Sequence, residues 1–129
     1  YFGPVQLLLG LIPSLTARRG HVINISAVNV FLTPPPRWAA YQASKTAFDQ
    51  WLRSVGPELA AGGIVTTSIY LPLVRTRMIA PTKEYTHMPA LEPEQAASLI
   101  CRAIVGRRST YAPWWMLPAE VLSVVGRRR

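Results

Sequence analysis

Tyr41 and Lys45 stand four residues apart in Tyr41-Gln42-Ala43-Ser44-Lys45. On a helix, that spacing projects both side chains from one face. A phenol ionises near pH ~10 and is a poor acid–base group at neutrality, but a fixed ammonium beside it stabilises the phenolate. Such a phenol can give a proton to a carbonyl oxygen as hydride reaches the carbon, so the pair is a candidate carbonyl-reduction site. Spacing alone is not specific, because an exposed Tyr-x-x-x-Lys pair on a solvated helix reads the same way.

The flanking segments decide whether the pair is positioned to act. Gln6 to Ala17 reads as a helix with leucines on most faces, which predicts burial on more than one side, and Gly20 stops it. His21 to Ile25 is a nearly continuous apolar run of strand length, as in an inner parallel strand covered on both faces. Ser26 to Arg37, with prolines at 34, 35 and 36, is expected to be a loop. A helix should run from Trp38 to Ala61 and end at Gly62-Gly63, followed by a β-branched strand from Ile64 to Tyr70. Pro93 opens a third helix that reaches Val105, with Glu92 and Glu94 at its positive end and Gly106 as its stop. From Ser109 onward a short strand and a final helical turn or two are expected.

Alternating helices and strands at these spacings imply right-handed βαβ crossovers and a parallel sheet. With only two or three strands, the His21 strand would keep its outer edge unpaired.

In this context Asn24-Ile25-Ser26, Ala39-Ala40-Tyr41-Gln42-Ala43-Ser44-Lys45-Thr46-Ala47, Leu59, Gly63-Ile64-Val65-Thr66, Pro72 and Thr76 resemble the short-chain dehydrogenase/reductase family across essentially the whole chain. The resemblance implies an α/β fold: the C-terminal half of a Rossmann-type three-layer α/β/α parallel sheet, with the first half missing. It makes Tyr41 the proton donor and has Lys45 both ease its ionisation and hold the nicotinamide ribose. Pro72, Val74 and Thr76 match the segment that lies against the cofactor carboxamide and phosphates, and the implied cofactor is NADP or NAD. In intact relatives it also implies a homo-oligomer acting on an acyl or ketone small molecule.

Several positions depart from the family. The strand usually ends in paired serines, the second of which steadies the substrate carbonyl, whereas here the pair is Ser26-Ala27. Ser26 could take that part only if the strand end twists or bulges, since adjacent residues on a strand face opposite ways. Loss of one oriented hydrogen bond to a developing oxyanion costs about 3 kcal/mol, roughly a hundredfold in rate. Leu73 replaces the glycine that normally follows the proline, and the loop before Tyr41 is one residue longer than usual. No Gly-x-x-x-Gly-x-Gly turn for a pyrophosphate occurs anywhere in the chain. The expectation is therefore a partial domain over residues 1–129 that lacks the dinucleotide-binding half and is inactive by itself. The alternative is a non-catalytic remnant or interaction module that pairs with a full-length reductase.

Leu71 to Thr82 followed by Leu91-Glu92-Pro93-Glu94-Gln95-Ala96-Ala97 is similar to a fatty acyl-CoA reductase-like branch. That likeness implies a long acyl thioester or related carbonyl as substrate and NADPH as donor. Trp114, Trp115, Met116 and Leu117 would then line an acyl site, and Arg75 or Arg77 would meet phosphates of cofactor or coenzyme A. Core packing for the aromatics and solvation for the arginines are the plainer alternatives.

Composition sets the outer limits. Half of the 129 residues are hydrophobic, enough for a packed core. The +8 charge comes mostly from arginines at segment ends, at 18–19, 107–108 and 127–129, with no groove-reading motif, which argues against nucleic acid as partner. The single cysteine, Cys101, excludes an intrachain disulfide, reads as a core filler and fits a reducing cytoplasm. No metal-ligand set is expected. The apolar stretch from Tyr1 to Leu15 is too short and interrupted for a bilayer span and lacks the basic front of a signal peptide. The tail from Tyr111 to Val125 offers either core packing or a peripheral contact with lipid or an acyl chain.

Overall fold

The computed structural model of the chain describes residues 1–33 and 36–126. Pro34, Pro35 and Arg127 to Arg129, named above, lie outside the described residues. Helices α1 (Phe2–Ala17), α2 (Ala39–Ala61), α3 (Pro93–Gly106) and α4 (Met116–Gly126) alternate with strands β1 (His21–Ala27), β2 (Val65–Leu71) and β3 (Thr110–Tyr111). The strands form one parallel sheet in the order β1-β2-β3, with β1 running beside β2 from His21↔Val65 to Ala27↔Leu71.

Strand alternation sorts the layers. Asn24 and Tyr70 point to α2, where both bond Asp49, so Thr67 and Ile69 point to the opposite face. The Thr67 hydroxyl there donates to the Arg108 carbonyl just beyond α3, at 2.7 Å. Leu8 of α1, Leu52 and Leu59 of α2, and Ile64 form the main apolar cluster, with Ile12, Leu15 and Val22 against it. Burying aliphatic side chains of this size stabilises the fold by about 1.5–3 kcal/mol each. This is the expected α/β/α arrangement.

Several elements differ in extent from the expectation. α1 starts at Phe2, because Pro4 falls in its first turn, where a missing N–H costs nothing. Its leucines are not buried on more than one side: Leu8 is buried, while Leu7, Leu9 and Leu11 are exposed. β1 extends through Ser26 and Ala27, and a 3-10 turn over Val28–Val30 follows, so the expected loop is partly ordered. β1 is an edge strand, with no strand on its outer side among the described residues and Ile25 half exposed.

The helix stops also differ. Gly63 takes a positive φ after α2, as expected, but the left-handed positions after α1 and α3 belong to Arg19 and Arg107, not to Gly20 and Gly106. Gly20 is tightly packed instead: a Cβ there would lie 2.5 Å from Leu15 Cδ2 and 3.3 Å from Leu15 Cα, so Leu15 would have to shift. α3 begins at Pro93 with a reciprocal capping box between Glu92 and Gln95. Cys101 is exposed and so is not a core filler; Ala96 and Ala103 fill the buried side of α3. Among the described residues no helix is long and apolar enough to cross a membrane.

Candidate active site

Arg37, in the left-handed region at φ 69°, turns the chain into α2 and leaves Trp38 as its N-cap residue. Tyr41 follows in the first turn and is 42% exposed, and Lys45 lies one turn on, half-buried. Among the described residues, neither of the ion pairs, Arg53–Asp49 and Arg75–Glu92, engages Lys45. A half-buried ammonium without a carboxylate beside a solvent-facing phenol suits a ribose diol and a carbonyl oxygen.

The ring of Trp38 meets Tyr41 edge-on with centroids 5.4 Å apart, and meets Tyr85 likewise at 6.3 Å. Tyr85 sits in a 3-10 turn over Lys83–Tyr85, inside the excursion between β2 and α3. That excursion is closed at its neck by Leu91 N–H donating to Leu73 O at 2.8 Å and Arg75 N–H donating to Leu91 O at 2.9 Å. Val74 pairs with Leu91 at this neck, Pro72 is half-buried, and Thr76 is exposed just beyond. Arg75 is engaged by Glu92 at 3.2 Å and by the Met88 carbonyl, whereas Arg77 is exposed. Sequence reasoning did not anticipate the contacts of Trp38 and Tyr85; an aromatic three residues before Tyr41 was the available signal.

Ser26 and Ala27 close β1 in unbroken register, Ser26 opposite Tyr70 and Ala27 opposite Leu71. Ser26 is buried on the α2 side and its Oγ has no hydrogen-bond partner among the described residues. Ala27 therefore occupies the other face. Gln42, next to Tyr41, turns inward and donates from Nε2 to the Asn29 carbonyl, fixing the turn after β1 to the start of α2. Two turns along the same helix face, Asp49 accepts from Asn24 Nδ2 at 3.3 Å and from the Tyr70 hydroxyl at 3.2 Å. Burial raises the Asp49 carboxyl above its ordinary value, against the opposing pull of Tyr70 and Arg53. Burial and the Asp49 charge push the Tyr70 phenol up to about 12, so it stays a proton donor to Asp49. The sequence placed Tyr41 and Lys45 together, and this network, which ties their helix to both strands, lay outside its reach.

Residues 1–86 match the family model for short chain dehydrogenases. The chain belongs to the short-chain dehydrogenase family. It is 51% identical over 108 residues to a fatty acyl-CoA reductase of Acinetobacter baylyi, covering 83% of this chain and 36% of that protein. A fatty acyl-CoA reductase of Mycobacterium tuberculosis is 36% identical over 129 residues, covering 99% of this chain and 44% of its own length. The chain thus spans less than half the length of these two relatives. In fold it is similar to a short-chain dehydrogenase from Burkholderia cenocepacia solved in complex with NADP, at a TM-score of 0.80 and 21% identity, covering 98% of this chain and 54% of that one.

Proposed function

We propose that the chain carries the catalytic part of an NAD(P)-dependent oxidoreductase that reduces an acyl carbonyl, from a long-chain acyl-CoA or ketoacyl substrate. The observation that carries this reading is the exposed Tyr41 phenol one turn from the Lys45 ammonium, which no ion pair engages among the described residues, at the N-terminus of α2. The likeness to two fatty acyl-CoA reductases supports the substrate class. Residues 1–129 correspond in this reading to the C-terminal half of the family's domain.

NADP or NAD supplies the hydride when bound. Lys45 holds a ribose hydroxyl and stabilises negative charge on the Tyr41 oxygen, and Tyr41 gives its proton to the substrate oxygen. Pro72, Val74 and Thr76 offer backbone and hydroxyl groups at the mouth of the excursion, whose neck keeps them in place. Ser26, the one hydroxyl in the Ser26-Ala27 pair, is buried on the α2 side in unbroken register, so it would serve as donor to the substrate oxygen only if the strand end twisted on binding substrate. In a chimera with the dinucleotide-binding part of the Acinetobacter relative, Tyr41→Phe should abolish acyl-CoA-dependent NADPH oxidation while NADPH still binds. Unchanged turnover would remove Tyr41 from the mechanism.

A second reading is favoured by the exposed Leu7, Leu9 and Leu11 on α1 and the edge of β1 that no strand covers among the described residues. These surfaces suit an interaction module that docks on a full-length reductase. Separate elution after mixing the two would dispose of it.

A further inference from the structure

A cavity of about 250 Å³ opens at the C-terminal edge of the sheet, between β2, β3 and α3. Leu71, Leu91, Leu99, Tyr111, Ala112 and Trp115 form much of its wall, and Ile69 and Pro72 reach it as well. The two tyrosine hydroxyls of the wall are committed elsewhere: Tyr70 donates to Asp49 and Tyr111 donates to the Arg102 carbonyl at 3.2 Å. The Tyr70 ring itself lies on the α2 face, so the tyrosine carbon offered to the cavity is that of the Tyr111 ring, beside the aliphatic side chains of the three leucines. Among the described residues, no charged side chain lines it. A lining of this kind matches hydrocarbon and leaves a polar ligand group without a partner.

The position matters as much as the chemistry. Leu71 is the register partner of Ala27, and in parallel pairing both side chains leave the same face of the sheet. Neighbouring strands lie about 4.8 Å apart. Leu71, which lines the cavity, is therefore one strand away from Ala27, the position to which the family resemblance assigns the catalytic hydroxyl. The outer wall comes from Ala112 to Trp115, held against the body because Met116 is buried with Val28 and Tyr70.

We propose that this cavity takes the hydrocarbon end of the acyl substrate, and that Leu99 and Ala112 limit the chain it accepts. The proposal rests on the acyl-reductase reading for the identity of its ligand. It changes the roles expected of the tail: Trp115 lines the chain site, while Trp114, 88% exposed, does not.

The test uses the 129-residue chain and parinaric acid, a fluorescent long-chain fatty acid, with energy transfer from tryptophan as the readout. Saturable binding is expected. Leu99→Trp and Ala112→Trp, which fill the cavity from two sides, should each weaken it by about tenfold or more. Trp115→Phe should cut the transfer while leaving the affinity close to the original. Should Leu99→Trp lose its native circular dichroism, Ala112→Trp decides, since Ala112 is on an exposed rim. Absence of saturable binding, or equal affinity in Ala112→Trp, overturns the proposal. Fatty-acid binding by a chimera that reduces no carbonyl would sink the reductase reading and keep the site; reduction of a short carbonyl without fatty-acid binding would do the reverse.

Discussion

The Tyr70 hydroxyl of β2 donates to Oδ2 of Asp49 at 3.2 Å, and so ties the central strand to the helix that carries Tyr41. Asn24 of β1 holds the other carboxylate oxygen, so one buried group joins three elements beneath the site. Because burial raises the Asp49 carboxyl in the fold above its unfolded value, the native state favours the protonated form. Its contribution is full below the ordinary carboxylate range, near pH ~4, and is lost as pH rises through the raised value. Asp49→Asn cannot ionise. Its stability relative to the original chain should therefore grow as pH rises from ~4 toward neutrality, as read by urea unfolding at several pH values. Asp49→Ala, which strands two buried donors, should cost about 2–4 kcal/mol.

A second pH dependence has the opposite direction. The Thr67 hydroxyl spends its proton on the Arg108 carbonyl, so His21 Nε2, 2.7 Å from Thr67 Oγ1, must be the donor between them. Burial, aided by the Arg107 charge, lowers the His21 pKa below its ordinary value. The neutral ring is thus favoured in the fold. The stability it contributes is present above about pH 6.5 and is lost as pH falls through the lowered value. Melting temperature should fall on acidification below ~6.5, and His21→Gln should flatten that fall. An equal slope in both chains would show that His21 is not the titrating group.

Adjacent leucines on α1 give a sharp contrast. Leu8 packs in the main cluster, whereas Leu9 is exposed. Leu8→Ala should cost about 2–4 kcal/mol, and Leu9→Ala should stay within ~0.5 kcal/mol. Equal losses in denaturant melts would mean that Leu9 is covered in solution, as the docking reading of α1 requires.

Gly20 tests a steric claim rather than a conformational one. Its backbone is not in the left-handed region, so strain is not the issue, but a Cβ would strike Leu15 at 2.5 Å from Cδ2 and 3.3 Å from Cα. Gly20→Ala should lower stability by about 1–3 kcal/mol. Gly20→Ala combined with Leu15→Ala should destabilise by less than the sum of the single changes, because the clash is then relieved.

The sheet was legible because apolar runs of strand length alternate with helix-period segments, a pattern that fixes parallel βαβ connections before any contact is known. Tyr41 and Lys45 were legible because a helix places residues four apart together. Burial along α1 was not, since a leucine-rich helix shows how much apolar surface it has and not how much of it this chain covers. Cys101 misled for the same reason. The helix stops misled because arginines hold the left-handed positions while neighbouring glycines serve a packing need at Gly20 and lie against the Tyr111 hydroxyl at Gly106. The Asn24–Asp49–Tyr70 network joins residues 21 to 46 positions apart, and no local pattern announces such pairs.

Ala27 and Ser26 pose the remaining chemical question, and the register makes it a decisive one. Unbroken pairing through Ala27↔Leu71 keeps Ser26 on the α2 side, buried without a partner, and sets Ala27 on the face shared with Leu71. In the chimera with a dinucleotide-binding half, a hydroxyl at Ala27 would meet a substrate oxygen only as charge develops there. Ala27→Ser should accordingly raise kcat by roughly a hundredfold with little change in KM. Ser26→Ala should by the same geometry change kcat little, and should not lower stability, since it removes a hydroxyl that has no partner to lose. A hundredfold fall in Ser26→Ala, together with no gain in Ala27→Ser, would instead identify Ser26 as the working hydroxyl and require the strand end to twist on binding substrate.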